Sequence, residues 1–171
     1  MSKNISCIAS SREQSEKILD ELKKADFQNN NISVLFPETE DTKKWVQEKH
    51  TKAPEGATAG AGAGGVVGGV LGWLVGIGSL AIPGVGPFIA AGPILAALSG
   101  TAIGAAVGGV TGSLIGLGIP EYEVKNYEKK LKEGSILISV HTNNEETERR
   151  KQARQIFKDN GASDISEIKE D

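Results

Sequence analysis

Gly60, Gly62 and Gly65 spell GxGxxG, the spacing with which a strand-to-helix turn wraps a dinucleotide pyrophosphate. That chemistry needs a strand before the turn and an acidic residue about 20 positions on to hold the ribose. Neither is present, so the match follows from glycine density alone. No glycine of this segment precedes a lysine, which excludes a P-loop. His50 and His141 are the only histidines, and each reads as a surface residue rather than a ligand. Cys7 is the only cysteine, so an intrachain disulfide and a multi-cysteine metal site are excluded. It alternates with Ile5 and reads as a small core residue, without the nearby positive charge a reactive thiol needs. Glu145, Glu146 and Glu148 precede Arg149, Arg150 and Lys151, the pattern of a solvated helix face with acids at its start. No catalytic, cofactor-binding or metal-ligating set emerges. The expectation is a non-enzymatic protein with no cofactor and no small-molecule substrate.

The elements around these residues divide sharply by charge. The 171 residues carry 19 basic and 22 acidic side chains, and none of them lies between Gly56 and Pro120. Twenty of the 22 glycines fall inside that same neutral stretch. Outside it, Ile5, Cys7 and Ala9 predict a strand, and Ser10 with Glu13 has capping-box spacing. Ile18, Leu19, Leu22 and Phe27 give one apolar helical stripe. Asn29 to Asn31 form a turn, and Ile32, Val34 and Phe36 alternate until Pro37. Residues 38–55 read as a polar linker around Trp45. After the neutral stretch, Pro120 opens a connecting helix over 120–134 that Gly134 stops. Ile136, Ile138 and Val140 mark the clearest strand. Thr142 with Glu145 predicts a second capping box, before a helix with Ala153, Ile156 and Phe157 inside. Gly161 ends that helix, and Ile165 marks a short last strand. Residues 1–37 and 135–171 thus read βαβ–βαβ, which predicts an α+β, ferredoxin-like βαββαβ sandwich split by an insertion. Net charge is −3 and no basic block exceeds three residues, so nucleic acid is not an expected partner.

The insertion, residues 56–119, has its own grammar. Gly60, Gly64, Gly68, Gly72 and Gly76 recur every four residues, as do Gly100, Gly104, Gly108, Gly112 and Gly116. Residues four apart share a helix face, so each stretch would carry a groove along which another backbone packs closely. The expectation is a glycine-zipper hydrophobic helical hairpin with these ten glycines as its packing residues. Helices over 60–82 and 98–119 would rise about 34 and 33 Å, against a bilayer core of roughly 30 Å. Lysines flank both ends, and the connection with Pro83, Pro87 and Pro93 has none. The positive-inside rule then keeps both termini cytoplasmic, with the tip across an inner membrane. Glycine and alanine drive insertion poorly, so the alternative is a large soluble cytoplasmic assembly that buries the hairpins between copies.

The paired ladders, the linker SLAIPGVGPFIAAGPILAAL and the exit IPEYEVKNYEKKLKEGSILISV together resemble a bacterial family of general stress or low-temperature-induced proteins with a glycine-zipper hairpin. The resemblance covers nearly the whole chain. It implies a stress-associated, membrane-associated protein and carries over no catalytic residue. The combined expectation is a stress-associated homo-oligomer whose partners are itself and the lipid bilayer. A ligand-sensing ferredoxin-like module is the reading from a different class, and it rests on fold analogy.

Overall fold

The computed structural model of the chain describes residues 2–50, 77–82, 86–94, 111, 114–115, 119–143 and 146–167. The elements are β1 (Ser2–Ala9), α1 (Arg12–Lys24), a 3-10 turn (Asn29–Asn31), β2 (Ile32–Pro37) and α2 (Glu40–His50). After them come β3 (Ile77–Ile82), β4 (Gly86–Ala91) and α3 (Glu121–Lys132). The last are β5 (Ile136–Asn143), α4 (Thr147–Asp159) and β6 (Ser163–Glu167). The fold is α+β. Among the described residues six strands form one antiparallel sheet in the order β3-β4-β2-β5-β1-β6.

Both faces of the central strands β1, β2 and β5 are buried, polar Asn4, Ser6, Ser33 and Ser139 included. On one face Ile5, Cys7, Val34, Phe36, Ile138 and Val140 meet Ile18, Leu19 and Leu22 of α1 and Ala153 and Phe157 of α4. The polar stretch read as a linker contributes to this core. Its residues 40–50 form α2, and Trp45 is buried against Phe36, ring centroids 5.3 Å apart. The Trp45 indole also donates to Glu16 at 2.6 Å. On the opposite face Ile8, Leu35 and Leu137 meet Val124, Tyr127 and Leu131 of α3. Ile94, Leu114 and Ile119, from the neutral stretch, are buried in the same cluster.

Helix starts differ from the expected capping boxes by local reach. Ser11, not Ser10, caps α1: its Oγ accepts from the Gln14 N–H at 3.2 Å. Gln14 Oε1 accepts in return from the Ser10 N–H at 2.7 Å, so the box closes one residue later through an amide instead of Glu13. At the second predicted box, Thr142 is still a buried strand residue. The Glu146 carboxylate instead accepts from the Asn143 N–H at 2.8 Å as the chain turns into α4.

The expected membrane-spanning hairpin is corrected by the sheet. Among the described residues no helix is long and apolar enough to cross a membrane. Residues 77–82, predicted to end the first span, are strand β3, paired with β4 from Ile77↔Ala91 to Ile82↔Gly86. Pro83 disfavours helical backbone at Ile82 before it and cannot donate within a helix after it, so the run extends instead. β4 pairs in turn with β2, from Val34↔Ala91 to Pro37↔Phe88. A tip hydrogen-bonded into the sheet cannot lie a bilayer's width away from it. From the predicted second span, Leu114 and Ile119 are buried against the same sheet. The transmembrane-helix, membrane and inner-membrane assignments are therefore withdrawn.

Candidate functional site

Gly60, Gly64, Gly68, Gly72, Gly76, Gly100, Gly104, Gly108, Gly112 and Gly116 all lie outside the described residues. Their attachment points are described, and these are specific. The first glycine stretch runs from α2 to β3, and the second from β4 to α3. Gly92, with φ of 82°, turns the chain out of β4 against the backbone of Ile32. The next free helical donor, the Ile94 N–H, is taken by Ser33 Oγ of β2 at 3.1 Å. At the other end Thr111 Oγ1 donates to Glu128 of α3 at 3.2 Å, and the Ile119 N–H donates to the Leu114 carbonyl at 2.9 Å. Both ends of the second stretch are thus built into one side of the sheet.

Helix α3, which receives that stretch, is fastened to β6 at Ser163 and Asp164, with Lys130 Nζ donating to Ser163 Oγ at 3.3 Å. Asp164 has φ of 49°, and its carboxylate accepts from Asn126 at 2.6 Å and from Lys130, while its carbonyl accepts from the Tyr127 hydroxyl. Burial raises the Asp164 carboxyl, but hydrogen bonds from Lys130, Ser163 and Asn126 and the Lys130 charge outweigh it, so it is held below its usual range. Burial pushes the Tyr127 phenol up, so it stays a neutral donor.

Between these fastenings the covered face carries an unexpected polar row. Ser33, Ser139, Ser6 and Ser166 stand side by side on β2, β5, β1 and β6, and all four are buried. Ser6 Oγ donates to Ser139 Oγ at 3.0 Å. Small hydroxyl side chains let a covering segment approach closely and still satisfy their polar atoms locally.

A separate cleft of about 270 Å³ opens where the 27–31 turn, the end of β5 and the start of α4 meet. Phe27, Gln28, Asn31, His141, Asn143, Glu146 and Arg149 line it. The Arg149 guanidinium lies 4.7 Å over the Phe27 ring and donates to the Ala25 and Asp26 carbonyls at 2.9 and 2.8 Å. Two of its five N–H donors thus hold the 25–27 turn in place. His141 Nε2 is buried with no hydrogen-bond partner among the described residues, and burial lowers the imidazole's pKa. Burial raises the pKa of Cys7, in the core under α1 and α4, as a core thiol's should be. Among the described residues no group of three metal-ligating side chains occurs.

The charge run read as solvated is only partly so. Arg150 is buried, donating to the Asn143 carbonyl at 3.0 Å and facing Glu167 at 3.5 Å. Sequence reasoning missed Arg149 and the cleft because the Ala25 and Asp26 carbonyls lie 124 and 123 positions away, and Arg150 because Glu167 closes on it only from β6. It missed β3 because a six-residue, mostly apolar run fits either a strand or a helix. Comparison with protein-family models, curated proteins and solved structures gave no match to this chain.

Proposed function

We propose that this chain is a non-enzymatic protein that self-assembles through its glycine-ladder stretches, which a ferredoxin-like body carries. The order β2-β5-β1-β6, with α1 and α4 packed on one face, supports the ferredoxin-like reading of the polar parts. The observation that carries the proposal is the insertion of β3 and β4 into the sheet beside β2. It ties the neutral stretch to the body at its middle as well as at its ends. Each ladder thus connects two elements of the body, the first α2 to β3 and the second β4 to α3. Apolar surface on this scale is buried between molecules when one small body cannot enclose it. Copies of the chain meet through the ladders and form a homo-oligomer. The resemblance to stress-induced proteins supplies the setting, an assembly formed when the cell is challenged.

The test is the oligomer size of the full chain by sedimentation velocity. Gly68→Leu and Gly108→Leu place a branched side chain in the groove and are expected to abolish assembly while the far-UV spectrum of the body persists. Val70→Leu, off the ladder, is expected to assemble normally. Leucine variants that assemble like the unaltered chain would refute the ladder as the packing face.

A second reading, as a ligand-sensing module, is favoured by the cleft beside His141 and Arg149. Its test is a rise in the unfolding temperature of the full chain with a small polar compound, lost in Asn143→Ala.

A further inference from the structure

The two edges of the sheet are unequal. At one edge β6 is five residues long, its pairing with β1 shifts register between Ser6 and Ile8, and Asp164 bends it with a positive φ. Two of its residues, Asp164 and Glu167, are acids held in ion pairs. These are the devices by which natural sheets prevent edge-to-edge pairing: a short, bent, charged strand.

The edge at β3, six residues long, has neither the register shift nor the charge. IGSLAI pairs with β4 along its whole length without a register shift, and it contains no charge and no proline. The nearest charged residues in the sequence are Glu55 and Glu121. Among the described residues no strand lies beyond β3. Backbone groups on the outer side of such a strand are a template for another strand.

The geometry points to β3 as a seam at which two copies of this chain join, β3 to β3 and antiparallel, into a continuous twelve-stranded sheet. A twofold axis perpendicular to the sheet reverses the strand and keeps both faces matched, so Ser79 or Leu80 stands opposite its own copy. A second copy is the occupant for reasons of charge and closure. An uncharged strand inside a neutral stretch offers a foreign partner no electrostatic handle, whereas two identical copies meet there without repulsion. Because β6 is blocked, pairing at β3 closes at two copies and does not run on into a fibre. The inference rests on the self-assembly proposed above and names one of its contacts, distinct from the glycine ladders.

The test uses cysteine cross-linking of the full chain, since the native Cys7 is buried and provides a silent background. Ser79→Cys and Leu80→Cys are oxidised mildly, with Asn30→Cys on an exposed turn as the reference. At least one seam variant is expected to convert mostly to a covalent dimer, with Asn30→Cys staying largely monomeric. Ser79→Lys, which sets like charges close across the axis, is expected to reduce the sedimenting species to a smaller oligomer with its far-UV spectrum unchanged. If the chain assembles but neither seam variant cross-links above the Asn30→Cys level, the seam is refuted and ladder assembly stands. If the unaltered chain sediments as a monomer, both are refuted.

Discussion

Replacing Gly92 by alanine tests whether the β3–β4 hairpin is part of the folded body. Gly92 has φ of 82°, and a Cβ built there falls 2.0 Å from the Ile32 carbonyl oxygen and 3.2 Å from the Ser33 Cα. Both are main-chain atoms of β2, which cannot rotate aside. The β4 end would have to withdraw by about 1 Å, at the register where Val34 pairs with Ala91. Left-handed backbone costs a non-glycine residue roughly 1–2 kcal/mol, and overpacking adds roughly 1–3 kcal/mol, so a total of about 2–5 kcal/mol is expected, with the overpacking part as the excess over Gly134→Ala. Gly134 is the internal reference: its φ is 100°, but nothing lies within 4 Å of a Cβ there. Gly134→Ala should therefore lose only the conformational part, roughly 1–2 kcal/mol. Urea unfolding followed by far-UV circular dichroism measures both. Equal losses for the two variants would mean that β4 does not press on β2, and the insertion of the hairpin into the sheet would be refuted.

Three further outcomes follow from the polar groups of the sheet. Ser6→Ala or Ser139→Ala should each cost about 1–3 kcal/mol by orphaning a buried hydroxyl, and the double variant less than their sum. Simple additivity in that cycle would show that the two hydroxyls do not serve each other. Because burial lowers the His141 pKa, the unfolded chain binds more protons between that value and 6.5. Stability should accordingly fall as pH drops below about 6.5, and His141→Gln should remove that slope. Asp164, whose pKa is lowered from 3.8, contributes stability present above 3.8 and lost as pH falls through its folded value. The urea midpoint followed from about pH 7.5 to about pH 3 separates the two, and a flat profile near pH 6 would exclude His141.

Much of the body could be read from local pattern. The alternation of Ile136, Ile138 and Val140, the stripe of Ile18, Leu19 and Leu22, and the stops at Pro37 and Gly134 all describe elements the chain forms. These signals are local: burial on one face repeats every two or every 3.6 residues, and proline and glycine limit the backbone wherever they occur. The sharp boundary in charge at Gly56 and Pro120 is likewise a property of sequence alone.

Other features depend on what comes to lie beside what. Leu137 and Ile8 gave no sign that a second layer covers them, because α3 returns to that face only after the neutral stretch. Trp45 looked solitary in a polar run until α2 carried it onto Phe36. Arg150 looked solvated until the end of β5 and Glu167 closed around it. The decisive case is IGSLAI. Its composition suits a buried helix or a strand equally, and the glycine ladder that ends at Gly76 just before it argued for helix. The open hydrogen-bonding edge of β2 decided the matter: β4 satisfies that edge, β3 follows β4, and backbone donors and acceptors find partners that no local pattern encodes.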